Sequence, residues 1–471
     1  MKTLLTSLLS LLAAGAVAQT AITPEVLTQF QSQQAQPADK AIRNAMARTS
    51  IAVLANDASA LQRGDTHFTY RVPNKGITDQ LSSGRCWLFT GMNVLRSKAI
   101  NRLNLNELEL SQVYLFFYDQ LEKSNLFLQG IIDTRSLKDD DRLVDWFFQY
   151  PLSDGGTYCG VADLVQKYGV CPKSAMPETY SSNHTSQIDQ LLKLKLREFG
   201  LALRTADAKS LGAKNKKDVD ALLQKRKVEM LGEIYHILTL AYGVPPTEFT
   251  YTLRNAKNKE ISTKTYTPQS FYQELWDGEE LYENNIMVMN DPLREYYKTY
   301  RIEFDRHTYE GHDWVYLNLP VEEIKPMAVA SIKDSAAMYF SCDVRKFLDS
   351  KNGTLDINNF DYGSLLNTTF PMDKKQRVQS HASGSTHAMT LVAADVDTTV
   401  TDLKVRKWMV ENSWGESNGY KGHLIMTDEW FDNYMFRLVV NKKYVDQKYL
   451  DLLKQKPILL PAWDPMFLGE E

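Results

Sequence analysis

The sequence contains few cysteines, only four among 471 residues. Four cysteines form at most two disulfides, too few to stabilise a chain of this length, so the sequence excludes a disulfide-rich scaffold. A strong excess of charge is also missing, because the formal net charge is −4, which disfavours a nucleic-acid-binding protein. Hydrophobic residues make up 43% of the chain, a fraction that excludes a disordered protein. These absences leave a globular protein in which each cysteine requires its own explanation.

Long hydrophobic runs are missing after the N-terminus, and the first run is short. It covers residues 4–14, which is fewer than the roughly 18 apolar residues that a transmembrane helix needs. Lys2 precedes this run, and the small residues Ala16 and Ala18 follow it, as in the cleavage site of a secretory signal peptide. We therefore predict a signal peptide at residues 1–18, export to a periplasm or to the extracellular medium, and no membrane span.

Motifs for metal ions and organic cofactors are missing as well. No cluster of His, Cys and Asp has zinc spacing, and no glycine-rich phosphate loop is present, so we predict neither a metal site nor a cofactor. A basic stretch at residues 209–227 contains seven Lys or Arg residues. Because Asp218 and Asp220 interrupt it, we interpret it as a solvated helical arm rather than a nucleic-acid-binding surface.

Cys86 is the strongest candidate for chemistry. Apolar residues recur after it with helical spacing, which predicts a helix that begins near Cys86 and buries Leu88, Met92, Leu95 and Ala99. The N-terminus of a helix carries partial positive charge, which favours the thiolate over the thiol. A cysteine taken alone is more often a small buried hydrophobic residue. The position at a helix start nevertheless predicts a nucleophile.

A cysteine nucleophile needs a base, and His387 is the candidate among the eight histidines. It begins an apolar run that continues over residues 388–394, and Asn412 follows a second run at 405–410. The polar segment between the runs predicts an antiparallel hairpin, with a turn that lets His387 and Asn412 face each other. An Asn amide that accepts from one imidazole nitrogen leaves the other nitrogen for the thiol. His381, six residues earlier, has no such partner.

Taken together, the motifs resemble the bleomycin hydrolase and aminopeptidase C branch of the papain-like cysteine peptidases. The chain departs from the common papain pattern at Ser83, where many papain-type enzymes have a disulfide cysteine, and at Arg85. The matching motifs extend from about residue 71 to the C-terminus and are Gln80-x-x-Ser83-Gly84-Arg85-Cys86-Trp87, Asp154-Gly155-Gly156, Lys167-Tyr168-Gly169-Val170, Asn290-Asp291-Pro292, Cys342-Asp343-Val344, Thr386-His387-Ala388-Met389, Glu411-Asn412-Ser413-Trp414-Gly415 and the tail Leu460-Pro461-Ala462-Trp463-Asp464-Pro465-Met466.

The resemblance implies a role for each matching residue of the site. Cys86 would be the nucleophile, His387 the general base and acid, and Asn412 the group that orients His387. Gln80 would donate its side-chain amide to the oxyanion, and the Cys86 backbone N–H would be the second donor. Trp414 would cover the hydrogen bond between His387 and Asn412 from water, a role that is compatible with an ordinary core aromatic.

The resemblance also implies residues that contact the substrate. Gly155 and Gly156 would let a peptide backbone lie close in the cleft, although the pair could equally form a plain turn. In the resembled branch the terminal carboxylate lies in the cleft and meets the α-amino group of the substrate, and here it belongs to Glu471. Because two glutamates end this chain, the tail could attract the amine, be trimmed, be displaced, or fray in solvent.

The spacing of the site residues predicts a single core with insertions. His387 comes 301 residues after Cys86, whereas papain-type enzymes have about 130–150 residues between the two. We predict an α+β fold, namely a papain-like core with a helical half and an antiparallel β half, with large helical and β insertions. Its predicted parts are the signal peptide at 1–18, the N-terminal part of the core with the nucleophile helix at 19–185, the insertion with a helical arm and a β-rich segment at 186–330, and the C-terminal β part with the tail at 331–471.

These observations predict a cysteine aminopeptidase that releases N-terminal residues from peptides through a thioester. Because the insertions of the resembled branch build a hexamer, the resemblance also implies a homohexamer. Two alternatives stay open. A displaced tail would make the chain an endopeptidase or a carboxypeptidase-like trimming enzyme, and the same fold could serve a non-catalytic peptide-binding protein.

The other three cysteines have structural interpretations. Cys159 and Cys171 could pair in an oxidising compartment, but the helix-like segment at residues 161–168 would hold its two ends apart, so the pairing stays open. Cys342 lies in a strand-like apolar run, and we expect it to be buried.

Overall fold

The computed structural model describes most of the chain as two compact units. The predicted signal peptide and Glu471 lie outside the described residues, which are 21–32, 37–57, 59, 65–212 and 215–464. The units are Met1–Asn56 with Asp361–Thr369, and Asp57–Phe360 with Phe370–Glu471. Every described candidate site residue belongs to the second unit. The domain boundaries stated above stay a prediction.

Helices make up most of the first half of the chain. Within the described residues the α-helices are α1 Pro24–Ser32, α2 Pro37–Met46, α3 Ile51–Ala55, α4 Cys86–Leu103, α5 Gln112–Asp133, α6 Arg142–Gln149, α7 Tyr158–Tyr168, α8 Tyr180–Asn183, α9 Thr185–Thr205, α10 Ala208–Leu211, α11 Lys216–Tyr242, α12 Pro268–Trp276, α13 Val321–Lys333, α14 Tyr362–Leu366, α15 Lys374–Gln379, α16 Asp428–Tyr434 and α17 Gln447–Leu452.

Strands dominate the second half. Within the described residues they are β1 Tyr70–Arg71, β2 Phe249–Arg254, β3 Glu260–Tyr266, β4 Asn285–Met289, β5 Lys298–Ile302, β6 Val315–Asn318, β7 Met338–Cys342, β8 Leu348–Asp349, β9 Thr354–Leu355, β10 His387–Val396, β11 Val405–Glu411, β12 His423–Thr427, β13 Met435–Asn441 and β14 Ile458–Leu460.

One large, mostly antiparallel sheet contains all of these strands except two. Its order is β14-β5-β6-β4-β13-β7-β10-β11-β12-β9-β8, and β1 pairs with β10. Strands β2 and β3 form a separate antiparallel ribbon. The helical half and the antiparallel β half that the sequence predicts are therefore both present.

Helix α4 connects the helical half to the sheet. The four residues that the helical spacing selects, Leu88, Met92, Leu95 and Ala99, are all buried. The helix ends at Asn104, which adopts a left-handed conformation with φ 49° and donates its backbone N–H to the Ile100 carbonyl. Because α4 is buried along most of its length, the residue at its N-terminus is held in a fixed place.

The predicted hairpin is formed by β10 and β11, but its register differs from the sequence prediction. Thr390 pairs with Glu411 and Leu391 pairs with Val410, so the ladder is shifted by two residues from a direct pairing of His387 with Asn412. Irregularities interrupt the ladder further along β10. A bulge adds an unpaired residue to one strand, and hydrophobic alternation alone does not reveal it.

The segment at residues 186–330 begins with helices α9 to α11 and continues with strands β2 to β6 and helices α12 and α13. Helices α9 and α11 bury one face each, with Leu196 and Leu203 on α9 and Ile234 and Leu238 on α11 in the helical core. Most of the described residues of the basic stretch lie on α10 and α11, and its interpretation as a helical arm agrees with these two elements.

Candidate active site

Cys86 is the first residue of α4 and is partly buried. This position exposes the sulfur to the N–H groups of the first helical turn and to the positive end of the helix dipole, which favour an anion. Arg85, directly before it, is fully buried, and its guanidinium lies 2.8 Å from the Glu178 carboxylate. Arg85 Nε also donates to Ser83 Oγ at 3.1 Å. The departure from the papain pattern at Arg85 thus anchors the backbone that carries the thiol.

Gly84 lets this loop approach Asp154 closely. The Gly84 N–H donates to Asp154 Oδ2 at 2.7 Å, and a Cβ on Gly84 would lie 2.2 Å from Asp154 Oδ1. The Trp87 Nε1–H donates to the Asp154 carbonyl at 2.9 Å. Any side chain at position 84 would therefore push apart the loop before Cys86 and the loop that carries Asp154.

His387 and Asn412 make the hydrogen bond that the sequence predicts, although their strands are not paired at these positions. His387 Nε2 lies 2.8 Å from Asn412 Oδ1, and the Ser413 backbone N–H donates to the same oxygen at 2.8 Å. Because a backbone N–H needs an acceptor, the atom facing it is the amide oxygen. The neutral imidazole therefore carries its proton on Nε2 and presents Nδ1 as the base.

Burial sets the charge of this histidine. It lowers the pKa of His387 to about 4, the hydrogen bond to Asn412 opposes this shift, and the charge of Arg345 adds to it. The imidazole is consequently neutral near pH 7 and able to accept a proton.

A hydrogen bond joins the beginning of α4 to the beginning of β10. Thr390 Oγ1 donates to the Thr90 carbonyl at 3.5 Å, and these residues lie shortly after His387 and Cys86 in their elements. The ladder partner of His387 is Cys342. Burial, together with the charges of Asp343 and Cys86, raises the pKa of Cys342. Helix α4, which begins with Cys86, therefore contacts strand β10, which begins with His387.

Gln80 is held in the loop before Cys86 by both ends of its amide. Its Nε2 donates to the Ser83 carbonyl at 2.7 Å, and its Oε1 accepts from Ser413 Oγ at 2.6 Å. An amide nitrogen has two hydrogens, so one donor remains after the bond to Ser83. Ser413 therefore connects the loop of Gln80 with the strand end that carries Asn412. Sequence reasoning missed this role, although Ser413 stands between Asn412 and Trp414 in a matching motif.

Trp414 stacks on His387, with ring centroids 4.8 Å apart and planes inclined by 29°. Its backbone forms an isolated antiparallel bridge with Asp79. The indole therefore covers one face of the imidazole, the position that the resemblance implies.

Gly155 and Gly156 differ in what they offer to a ligand. Gly155 donates its N–H to Ser153 Oγ at 3.0 Å, and its carbonyl accepts from Lys123 Nζ at 2.6 Å. Among the described residues, neither the N–H nor the C=O of Gly156 has a hydrogen-bond partner. A Cβ on Gly156 would lie 2.2 Å from His307 Cε1. Close packing explains the absence of a side chain at Gly156, and its backbone remains available.

A buried cluster of ionisable side chains, Asp119, Lys123 and His307, contacts the loop of these two glycines. His307 Nδ1 lies 2.5 Å from Asp119 Oδ1, and Lys123 Nζ lies 2.9 Å from Asp119 Oδ2. Burial, together with the charge of Lys123, lowers the pKa of His307. Sequence reasoning missed this cluster, because His307 comes from the inserted segment and no local motif links it to Asp119.

A cavity of about 260 Å³ opens beside the glycine loop. Gly155 and Gly156 lie on its wall, and so does Ala462, which belongs to the C-terminal tail. Its apolar wall includes Phe127, Trp146, Phe147 and Phe304.

None of the four cysteines, all of which belong to the described residues, forms a disulfide. The predicted burial of Cys342 is confirmed, and Cys159 and Cys171 are buried as well. Burial raises the pKa of Cys171 to about 12 and that of Cys159 well above its usual range. These three thiols are consequently poor nucleophiles.

In the part of the chain that the structure describes, no group of three or more His, Cys, Asp or Glu residues is arranged to hold a metal ion. The same residues include no helix that is long and apolar enough to cross a membrane. Glu471, the remaining candidate site residue, lies outside the described residues.

Known proteins resemble this chain along most of its length. The model of the Peptidase C1-like family matches residues 21–467. Bleomycin hydrolase from Homo sapiens is 38% identical over 415 residues, which cover 87% of this chain and 90% of the human protein. Aminopeptidase C from Listeria monocytogenes is 34% identical over 455 residues, which cover 95% of this chain and 99% of that protein.

A crystal structure of pepw from Lactobacillus rhamnosis has a similar fold. It is 34% identical to this chain, covers 95% of this chain and 99% of its own, and superposes with a TM-score of 0.88. The family match and this superposition confirm the predicted papain-like α+β fold and the resemblance to the bleomycin hydrolase and aminopeptidase C branch.

Proposed function

The chain belongs to the Peptidase C1-like family, and we propose that it is a cysteine aminopeptidase of the bleomycin hydrolase type. The observation that carries this proposal is the 2.8 Å hydrogen bond between His387 and Asn412 beside the helix that begins with Cys86. Relatives named bleomycin hydrolase and aminopeptidase C, which align with most of this chain, support the same activity.

The first half of the proposed reaction acylates Cys86. His387 Nδ1 takes the proton of the Cys86 thiol, and the thiolate attacks the carbonyl carbon of the first peptide bond. The oxyanion accepts hydrogen bonds from the remaining amide hydrogen of Gln80 and from the Cys86 backbone N–H. The C–N bond then breaks, His387 gives its proton to the leaving amine, and the acyl group stays on sulfur as a thioester.

The second half releases the acyl group. His387 Nδ1 takes a proton from a water molecule, and the resulting hydroxide attacks the thioester carbonyl. The C–S bond breaks, the carboxylic acid product leaves, and the Cys86 sulfur takes the proton back from His387, which restores the starting state. Asn412 accepts the Nε2–H throughout, so the same ring nitrogen faces the reaction in both halves. Trp414 keeps water away from that hydrogen bond.

Gly156 is the proposed site for the substrate backbone. Its N–H and C=O are unused by other described residues, whereas those of Gly155 are engaged by Ser153 and Lys123. A peptide in extended conformation offers a complementary C=O and N–H. Gly155 supports this role by holding the loop in place. Because it has no side chain, it also leaves room for the substrate in the cleft.

Selection of the free α-amino group is assigned to the C-terminal tail. Arg294 forms an ion pair with Asp464, and Arg142 lies 4.4 Å from the centre of the Trp463 ring, so the chain is anchored where the tail begins. Ala462 lines the cavity beside Gly155 and Gly156. Seven further residues can span at most about 25 Å. The Glu471 carboxylates are therefore proposed to meet the cationic amine of the substrate.

Hydrolysis of aminoacyl-coumarin substrates tests the activity. The wild-type protein should release coumarin, iodoacetamide should abolish release, and Cys86→Ala should be inactive. Cys171→Ala is the matched control, because it removes a buried thiol outside the site and should retain activity. Full activity of Cys86→Ala would refute the proposal, and a folded wild-type protein without activity would favour a peptide-binding role.

A second experiment separates the aminopeptidase from the other peptidases of this fold. Peptides with free and with N-acetylated termini should be compared for the wild type and for a variant that lacks residues 470–471. Preference for the free amine, weakened in the shortened variant, is expected. Cleavage of acetylated peptides at internal or C-terminal bonds would instead identify an endopeptidase or a carboxypeptidase-like enzyme.

We also propose that the chain assembles into a homohexamer. The outward faces of the helical arm carry apolar side chains that are more than half exposed, namely Leu191, Leu194 and Leu201 on α9 and Val228 and Leu240 on α11. Leu191 and Leu194 are three residues apart on one face of α9, and adjoining exposed apolar side chains of this kind mark surfaces that bind other protein chains. Light scattering coupled to gel filtration should give six times the chain mass, and a monomer at working concentrations would refute the assembly.

Export through a signal peptide at residues 1–18 is the proposed route to a periplasm or to the extracellular medium. The supporting feature is the short apolar run followed by Ala16 and Ala18. N-terminal sequencing of the protein purified from its native cells should begin at Gln19. A first residue of Met1 in the cytoplasmic fraction would refute export.

A further inference from the structure

The two halves of the site lie on different elements, and one buried ion pair joins these elements next to the site. Cys86 begins α4, and Asn412 directly follows the last residue of β11, Glu411. Arg96, further along α4, places its guanidinium 2.5 Å from Glu411 Oε1. The side chains are only 5% and 1% exposed. Water and salt therefore screen this pair little.

Neighbouring polar groups complete the pair. Asn74 Nδ2 donates to the second oxygen of Glu411, and Arg96 donates to the Gly76 carbonyl at 3.0 Å. Burial raises the pKa of Glu411, and the charge of Arg96 opposes that shift. Both Glu411 oxygens thus have a donor, and the segment that begins with Asn74 is held between α4 and β11.

The same segment continues to the oxyanion donor. The Gly415 N–H donates to the Thr78 carbonyl at 3.1 Å, and the Gln80 N–H donates to the Ser413 carbonyl at 2.8 Å. Asn93, on α4, donates from Nδ2 to Thr78 Oγ1 at 2.9 Å. One continuous set of contacts therefore begins at the ion pair and ends at Gln80 and Asn412.

We propose that Arg96 and Glu411 are positioning residues that set Asn412, and through it His387, against the helix of Cys86. This inference rests on the proposed function. Glu411 is joined to Asn412 by one peptide bond, so any displacement of its carboxylate shifts the oxygen that orients His387. A misplacement of about 1 Å at a reacting group can cost roughly 100-fold in rate. Neither residue touches the substrate.

The energetics of buried ion pairs make this role separable from stability. Removal of one partner leaves an uncompensated buried charge and destabilises the fold, whereas replacement of both partners by apolar residues is often neutral or stabilising. The fold could therefore be stable without this pair, whereas the position of Asn412 is proposed to depend on it.

The test compares Arg96→Met, Glu411→Gln and the double variant Arg96→Met/Glu411→Leu with the wild type. Both single variants should lose thermal stability and activity. The double variant should regain the melting temperature, but its kcat should stay at least about 10-fold below wild type with little change in KM. Alkylation of Cys86 by iodoacetamide, which needs no substrate, should slow in parallel. A double variant that regains both stability and kcat would overturn the proposal.

Conservative variants decide the question if the double variant does not fold. Arg96→Lys keeps the charge and should retain kcat within about threefold, because Arg96 reaches Glu411 through one nitrogen. Glu411→Asp keeps the charge but shortens the side chain, so it should fold and lose kcat at least about 10-fold. Wild-type kcat in Glu411→Asp, or a change confined to KM, would overturn the proposal.

Two controls separate this inference from its premise. Lys325→Met breaks an ion pair with Asp428 that joins α13 and α16, neither of which carries a site residue, and it should lower stability without lowering kcat. Cys86→Ala reports on the proposed function independently. If Cys86→Ala is inactive and the Arg96 and Glu411 variants keep wild-type kcat, only the positioning role fails.

Discussion

Replacement of Asn412 by alanine would remove the acceptor that orients His387. Asn412 is 2% exposed, and its Oδ1 accepts from His387 Nε2 at 2.8 Å. The imidazole becomes a cation when it takes the thiol proton, and a hydrogen bond to a charged group is worth about 1.5–3 kcal/mol. A loss of that size in the transition state corresponds to a fall in kcat of about 10- to 150-fold.

The measurement is steady-state hydrolysis of an aminoacyl-coumarin, with circular dichroism as a check of folding. We expect the loss in kcat and little change in KM, because Asn412 does not contact the substrate. Asn352→Ala is the matched control, since Asn352 is exposed and its side chain bonds only to Asp349 among the described residues. A folded Asn412→Ala variant with wild-type kcat, or with a change in KM alone, would refute the orienting role.

Three further predictions follow from the site and its surroundings. Gln80→Ala should lower kcat by about 10²–10³-fold because it removes one oxyanion donor, and unchanged kcat would show that Gln80 is structural. Gly156→Ala should lower the free energy of unfolding by about 1–3 kcal/mol through its clash with His307, whereas Gly232→Ala on α11, with nothing within 4 Å, should not. The free energy of unfolding of the Cys86→Ala variant, measured in urea, should fall by about 3 kcal/mol between pH 6.5 and pH 4. The folded state holds the pKa of His387 at about 4, so the unfolded chain binds the His387 proton at a higher pH and is favoured as the pH falls. A free energy of unfolding that does not change over this range would contradict the buried neutral imidazole.

Local patterns in the sequence were sufficient for the elements that carry the chemistry. The helical spacing after Cys86 predicted α4, because each of its apolar residues packs toward the core with a period that the chain itself displays. Two apolar runs around a polar segment predicted β10 and β11, and the hydrogen bond between His387 and Asn412 agrees with that hairpin.

The register of that hairpin is a feature that local sequence patterns did not predict. The pairing of Thr390 with Glu411 shifts the ladder by two residues, which places Trp414 rather than Asn412 level with His387. The two side chains still meet, because Asn412 lies beyond the end of β11 and is no longer constrained by the ladder. An irregular strand end depends on its neighbours in space, and residue types alone did not specify it.

The sequence by itself determined the family and the two types of element that carry the candidate reactive groups, and it predicted which residues those groups are. These depend on residue types at short spacing, where periodicity and motifs are direct consequences of helix and strand geometry. The tertiary structure decided which tautomer His387 adopts, which glycine keeps a usable backbone, and which buried charges hold the site. Each of these depends on contacts between residues that are distant along the chain, such as Arg96 with Glu411 and Asp119 with His307, and only the folded protein brings them together.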